Sequence, residues 1–216
     1  MRLRLIFWTI FSLTVISCRQ TEKSKEIMKE AMDVYLSSKD TNSVKIEKSL
    51  ELTNRALELD DHNIAALTHK TTLLFRKKDI DGSLQTVDDL IKLRPEKPYY
   101  LVQKAPYLEL KGDNSRANEY YDSAQSKYQK YLKSDSLNFN LLLEYVGLLE
   151  VTGDTTSASE TLTKMESMNF DASQKEILSV YKNQVHRRQS FSKEVLMKYW
   201  TGEIAYEQIE WQLEGK

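Results

Sequence analysis

Residues 64–97 read IAALTHKTTLLFRKKDIDGSLQTVDDLIKLRPEK, and residues 98–113 continue PYYLVQKAPYLELKGD. In the first stretch Leu67, Thr71 and Leu74 recur at helical spacing, a break falls at Lys78-Asp79, and Ser83, Val87 and Leu90 recur at the same spacing before Pro95. In the second stretch Leu101, Ala105 and Leu108 repeat the first triplet, and Gly112-Asp113 repeats the break 34 positions on, from 78 to 112. A third break, Gly153-Asp154, is preceded by Leu142, Val146 and Leu149 and followed by Ala158, Leu162 and Met165. Paired apolar triplets around a short break, returning at a fixed period, predict antiparallel helical hairpins stacked in a row.

The residue types at these positions resemble the tetratricopeptide repeat (TPR). That family alternates large and small residues along the first helix and prefers small, aromatic and small along the second. Ala117, Tyr121 and Ala124 match the second-helix pattern directly, Ser83 is an acceptable small residue, and Leu90 departs from it. Pro95 falls at the family's terminal proline, and Pro98 suits a helix start, where no donor is needed. An earlier unit matches less well. Its first helix is expected over residues 24–37, with Ile27, Ala31, Val34 and Tyr35, and its second ends at Ala56–Asp60, with Asp61 in place of proline. The connection 38–43 is longer than the usual turn. The resemblance covers residues 24–170 and is strongest over 64–165. It implies an all-α solenoid of helix-turn-helix hairpins, about four in number, followed over 171–216 by a degenerate terminal hairpin and a cap.

One hairpin cannot bury its own apolar face. Small residues (Ala105, Ala117, Ala124, Ala158) let backbones approach, and large ones (Leu108, Tyr121, Leu149, Leu162) fill the remaining space. From Gly112 to Gly153 the period is 41, seven residues too long, or about two helical turns, which preserves the facing of the helix. The helix over residues 116–133 is therefore expected to overhang its neighbours. Tyr120, Tyr121, Tyr128 and Tyr131 lie along it, either as core or as an exposed ridge that contacts a partner. Pro106, inside a first helix, removes the hydrogen bond to Val102 and is expected to kink it or to be tolerated.

Composition agrees with helices: Gly (6) and Pro (3) are too scarce for an all-β fold. The N-terminal segment MRLRLIFWTIFSLTVISC (1–18) opens with Arg2 and Arg4 and carries an apolar run over 5–16. That run is too short to span a bilayer core of roughly 30 Å and has the form of an export signal. Val15-Ile16-Ser17-Cys18 resembles the lipobox of bacterial lipoproteins. The resemblance implies a signal peptide over 1–17, lipidation of Cys18, a polar tether over 18–23, and a place in the bacterial cell envelope, with the outer membrane favoured because Arg19 is not Asp. Without residues 1–17, 29 basic residues face 32 acidic ones, a net charge of −3, which leaves no basic field to hold nucleic acid. Cys18 is the single cysteine, so no internal disulfide forms.

Toward the C-terminus a helix is expected over 173–188, with Ile177, Leu178, Tyr181 and Val185 on one face, and another over 192–200 capped by Ser192. A last short helix is expected over 203–213, with Trp200, Tyr206 and Trp211 as capping core or as an exposed end.

No catalytic or metal-binding pattern is found. His62, His69 and His186 are far apart, no phosphate-cradling glycine loop or nucleophile elbow occurs, and Asp88-Asp89 reads as a solvated face. No cofactor is expected. In the resembled family the first helix of each repeat lines the inner face. By position this selects Ala65, Thr68, Thr72, Phe75 and Arg76; Tyr99, Val102, Glu109 and Leu110; and Asn140, Leu143 and Glu150. The mix is apolar and aromatic with few charges, suited to a partner's helix or extended segment. Thr68 and Thr72 stand where some relatives carry the Lys and Asn that clamp a terminal carboxylate, so that activity is disfavoured. The expectation is a non-enzymatic, membrane-anchored scaffold for a protein or peptide partner. An immunity lipoprotein that neutralises a toxin and a binding component of a nutrient uptake system are the alternatives.

Overall fold

The computed structural model describes residues 2–37, 39–188 and 193–200. They form α1 (Arg2–Ser37), α2 (Asn42–Leu59), α3 (Ile64–Arg76), α4 (Ile80–Leu93), α5 (Pro98–Leu110), α6 (Asn114–Ser134), α7 (Phe139–Thr152), α8 (Thr155–Glu166), α9 (Ala172–Arg188) and α10 (Lys193–Trp200), with no strand among the described residues. The chain divides into two compact units, Met1–Arg94 and Pro95–Lys216. In the first, α1 packs on α2, α2 on α3 and α3 on α4. In the second, α5 through α9 pack each on the next.

The three breaks fold into one repeated joint. Lys78, Gly112 and Gly153 have φ of 62°, 79° and 84°, the left-handed conformation that ends a helix. At each, the amide of the next residue reaches back five positions: Asp79 to the Leu74 carbonyl (3.0 Å), Asp113 to Leu108 (2.9 Å) and Asp154 to Leu149 (2.8 Å). The amides of Lys78, Gly112 and Gly153 donate to the carbonyls of Phe75, Glu109 and Glu150. The same aspartates then cap the following helix, their carboxylates accepting from the amides of Gly82 (2.9 Å), Arg116 (3.2 Å) and Ser157 (3.1 Å). Thus one Asp satisfies a carbonyl orphaned by the helix it leaves and an amide orphaned by the helix it enters.

Every repeat position read from the sequence in α3–α8 is buried. Ala105, Ala117, Ala124 and Ala158 have no exposed surface, while Leu108, Tyr121, Leu149 and Leu162 fill the space between them. Each large side chain contributes roughly 1.5–3 kcal/mol through burial. In the first unit Ile27, Met28, Ala31, Ala56 and Ala66 form the core between α1, α2 and α3. Beside it runs a buried polar thread. Ser24 Oγ donates to the Ala56 carbonyl (2.7 Å) and accepts from Asn63 Nδ2 (2.8 Å), while Ser49 Oγ donates to the Ala31 carbonyl (2.7 Å). Ser49 has then spent its hydrogen, so at 2.8 Å it accepts from His69 Nε2, which fixes the neutral ring in its Nε2–H tautomer.

The seven extra residues lengthen a helix, as expected: α6 has 21 residues against 14 in α4. The expected overhang does not occur. Tyr128 is fully buried with its ring 5.8 Å from that of Tyr145, and Leu132 packs on the apolar cluster of α7–α9. Tyr131 Oη donates to the Glu96 carbonyl (2.9 Å), and Lys127 Nζ donates to the Pro95 carbonyl. The added turns are covered by α7 and by the segment leading into α5, so no exposed tyrosine ridge forms. Pro98 takes the helix start, and α5 continues unbroken through Pro106.

Two further expectations are refined. Residues 18–23 lie inside α1, continuous with the helix whose packing starts at the buried Ser24. On α9, Leu178 and Val185 are buried and Tyr181 is half-buried, but Ile177 is 49% exposed and belongs to the outer side. Among the described residues no helix is long and apolar enough to cross a membrane. The expected helix over 203–213, with Tyr206 and Trp211, lies outside the described residues, as do the side chain of Trp200 and the Ser192 cap.

Candidate partner-binding face

In the first unit, Ala65, Thr68, Thr72, Phe75 and Arg76 share one face of α3. Ala65 and Arg76 are exposed, and Thr68, Thr72 and Phe75 are half-buried. The threonine hydroxyls donate within the helix, Thr68 to the Ile64 carbonyl (2.8 Å) and Thr72 to the Thr68 carbonyl (3.2 Å). What they present outward is mostly methyl surface, so this face is neutral and smooth apart from Arg76 at its end.

The second unit is different. Tyr99 and Leu110 on α5 and Asn140 on α7 are exposed, while Val102, Glu109, Leu143 and Glu150 are half-buried. Between them stand residues that the positional reading did not select. Gln103 Nε2 donates to Tyr99 Oη (3.2 Å), and Glu144 accepts from Tyr128 Oη (3.2 Å). Burial pushes the Glu144 carboxyl above the usual carboxylate range, against the Tyr128 hydrogen bond and the charge of Lys97, which pull it down. Burial first, and then the Glu144 charge, raise the Tyr99 and Tyr128 phenols. The phenols stay protonated, and Tyr128 acts as the donor to the Glu144 carboxylate.

Glu109 and Glu150 are not free groove residues. Arg188 holds Glu150 through Nε (3.0 Å) and Nη2 (3.1 Å), and Tyr181 Oη adds a third donor at 3.3 Å. Lys193 Nζ donates to the Glu109 carboxylate. The face that α5 and α7 were expected to offer is thus partly covered by α9 and the start of α10. Gln103 and Glu144 were legible as helix-face neighbours, since 99, 103, 106 and 110 on α5, and 140, 144, 147 and 150 on α7, each form one stripe. Arg188 and Lys193 carry no such signal, because their partners lie 38 and 84 residues back.

The described residues form no convergent set of catalytic groups. His62 Nδ1 contacts Asp61 (2.6 Å) at an exposed turn, and His69 lies in the α1–α3 packing with its ring edge-on to Tyr35 at 5.4 Å. Asp89 pairs with Lys92 (2.9 Å) on the surface of α4.

A crystal structure of a thermophilic TPR protein from Thermus thermophilus is similar to this chain. The TM-score is 0.51 at 14% identity, over 88% of this chain and 96% of that one. At that identity the likeness concerns the fold, and it agrees with the repeated joints and buried repeat positions. The fold is that of a TPR-like helical solenoid. No protein-family model matches the chain, and no curated protein matches it.

Proposed function

We propose that this protein is a lipid-anchored scaffold of the bacterial cell envelope, held at the outer membrane, that binds a protein or peptide on its first-helix faces and catalyses nothing. The observation that carries the binding reading is the face itself. Ala65 on α3 and Tyr99 on α5 are exposed at repeat-equivalent positions, Leu110 is exposed at the end of α5, and Phe75 on α3, Val102 on α5 and Leu143 on α7 are half-covered. In each unit, taken by itself, such a helix face suits a partner's helix or extended segment. The lipobox at residues 15–18 supports the anchor. Two or three acyl chains on Cys18 would give durable membrane attachment at roughly 0.8 kcal/mol per buried CH2.

The binding test places Arg at Ala65, Tyr99 and Leu110 in turn, sites where the fold tolerates bulk, and compares covalently captured partners in the native envelope by quantitative mass spectrometry. A specific partner present with the parent chain and depleted at least tenfold in one or more variants supports the reading. An unchanged capture profile in all three removes it. For the anchor, Cys18→Ser is expected to release the chain from the membrane fraction, and full retention would refute it.

A further inference from the structure

We propose that the first-helix face of the second unit is closed at Glu150 and Glu109 by the chain's own Arg188 and Lys193, and that the partner it admits is a basic segment that displaces both cations. This rests on the binding role proposed above and specifies its chemistry.

The two contacts repeat one arrangement. At the first, Glu150 is 14% exposed and grips Arg188 in a two-pronged pair, with the guanidinium 5.7 Å from the Tyr181 ring centre. At the second, Glu109 is 17% exposed and takes the Lys193 ammonium, which stands 5.3 Å from the Tyr121 ring centre. Lys193 also borders a hollow of about 470 Å³ whose wall includes Asp122 and Asp154. A largely covered carboxylate without a counter-charge is costly, and tyrosine rings favour a cation over a neutral group. The surface therefore calls for two cations, and the chain supplies them itself.

The path of the chain supports the same reading. In a continued array the helix after α9 would stack beside α8. Lys193, the first residue of α10, instead reaches α5 and the Tyr121 ring of α6. The start of α10 thus lies against helices already stacked. The Lys193 contact there is a side-chain ion pair, the kind of contact that an incoming cation replaces.

The experiment uses the full chain in mild detergent and a fluorescent peptide of residues 184–200 (QVHRRQSFSKEVLMKYW) as probe. In the Arg188→Glu/Lys193→Glu variant the internal segment is repelled. The peptide should then bind at least tenfold more tightly than to the parent chain, and amide exchange over residues 193–200 should quicken at least tenfold. Should the charge reversal reduce helicity, Arg188→Gln/Lys193→Gln makes the same measurement. Equal peptide affinity for parent and variant, or unchanged exchange, overturns the proposal. So does equal binding of a peptide with Gln at both cationic positions. No partner enters this test, so it can fail while capture through Ala65, Tyr99 and Leu110 still succeeds, and the two readings are judged apart.

Discussion

The left-handed residue at each joint permits a paired experiment whose sign differs between repeats. Lys78, Gly112 and Gly153 hold the same backbone conformation, and a Cβ built at Gly112 or Gly153 meets nothing within 4 Å. Any cost of adding one is therefore conformational rather than steric contact with neighbours. A non-glycine residue in this region costs roughly 1–2 kcal/mol. Replacing Gly by Ala recovers about 0.4–1 kcal/mol by restricting the unfolded chain. The balance for Gly112→Ala or Gly153→Ala is a loss of about 1 kcal/mol. Lys78→Gly runs the cycle backward and should gain up to about 1 kcal/mol, less whatever Lys78 gains from its own side-chain contacts. Urea unfolding monitored by circular dichroism, with equal slopes required, reads all three. The reasoning fails if both glycine substitutions are neutral within about 0.3 kcal/mol, or if Lys78→Gly destabilises while they do too.

Three other outcomes are expected. His69→Gln should flatten the acid limb of thermal stability. Burial lowers the folded His69 pKa below its ordinary 6.5, so the unfolded chain takes the proton first; stability is complete above that value and is lost as pH falls through the folded one. A parallel decline of parent and variant melting temperatures between pH 7.5 and 5 would contradict this. The groups facing His69 are Ser49 and Tyr35, with Lys45 over the Tyr35 ring. Glu144→Gln should raise the melting temperature at pH 8 but not at pH 4, because burial raises the Glu144 pKa and the ionised carboxyl is then the disfavoured form; equal shifts at both values would count against it. Leu162→Ala, at a side chain only 2% exposed between α7, α8 and α9, should cost about 2–5 kcal/mol by denaturant unfolding, whereas Ile177→Ala on the outer side of α9 should stay within about 0.5 kcal/mol.

The hairpins were legible because their signals are local. Apolar triplets, a break before each Asp and a fixed period all lie within one or two helices, and physics acts on them at that range. Even Lys78, which lacks the glycine of its counterparts, was placed by spacing alone and has the left-handed φ. The packing of α6 was not legible. Its length followed from the count of residues, but whether Tyr128 and Tyr131 faced water depended on the Pro95–Lys97 segment and on Tyr145, which no helical period brings to them. The same limit applies to the face. Glu109 and Glu150 were correctly placed on first helices, yet their cover by Lys193 and Arg188 is a long-range ionic matter that binary patterning does not encode. Ile177 falls on the other side because a stripe at helical spacing on α9 fits two neighbouring faces, and it is Leu178, Tyr181 and Val185 that pack on the cluster of α7 and α8.

The shared aspartate at each joint separates the connector from what it connects. A four-atom handshake of two amides, one carbonyl and one carboxylate is complete within the corner, so it places no demand on how far either rod extends beyond it. Rods of 12, 14 and 21 residues can follow an identical elbow, as α8, α4 and α6 do. An array built this way can change its reach from one rod to the next while every corner keeps its form.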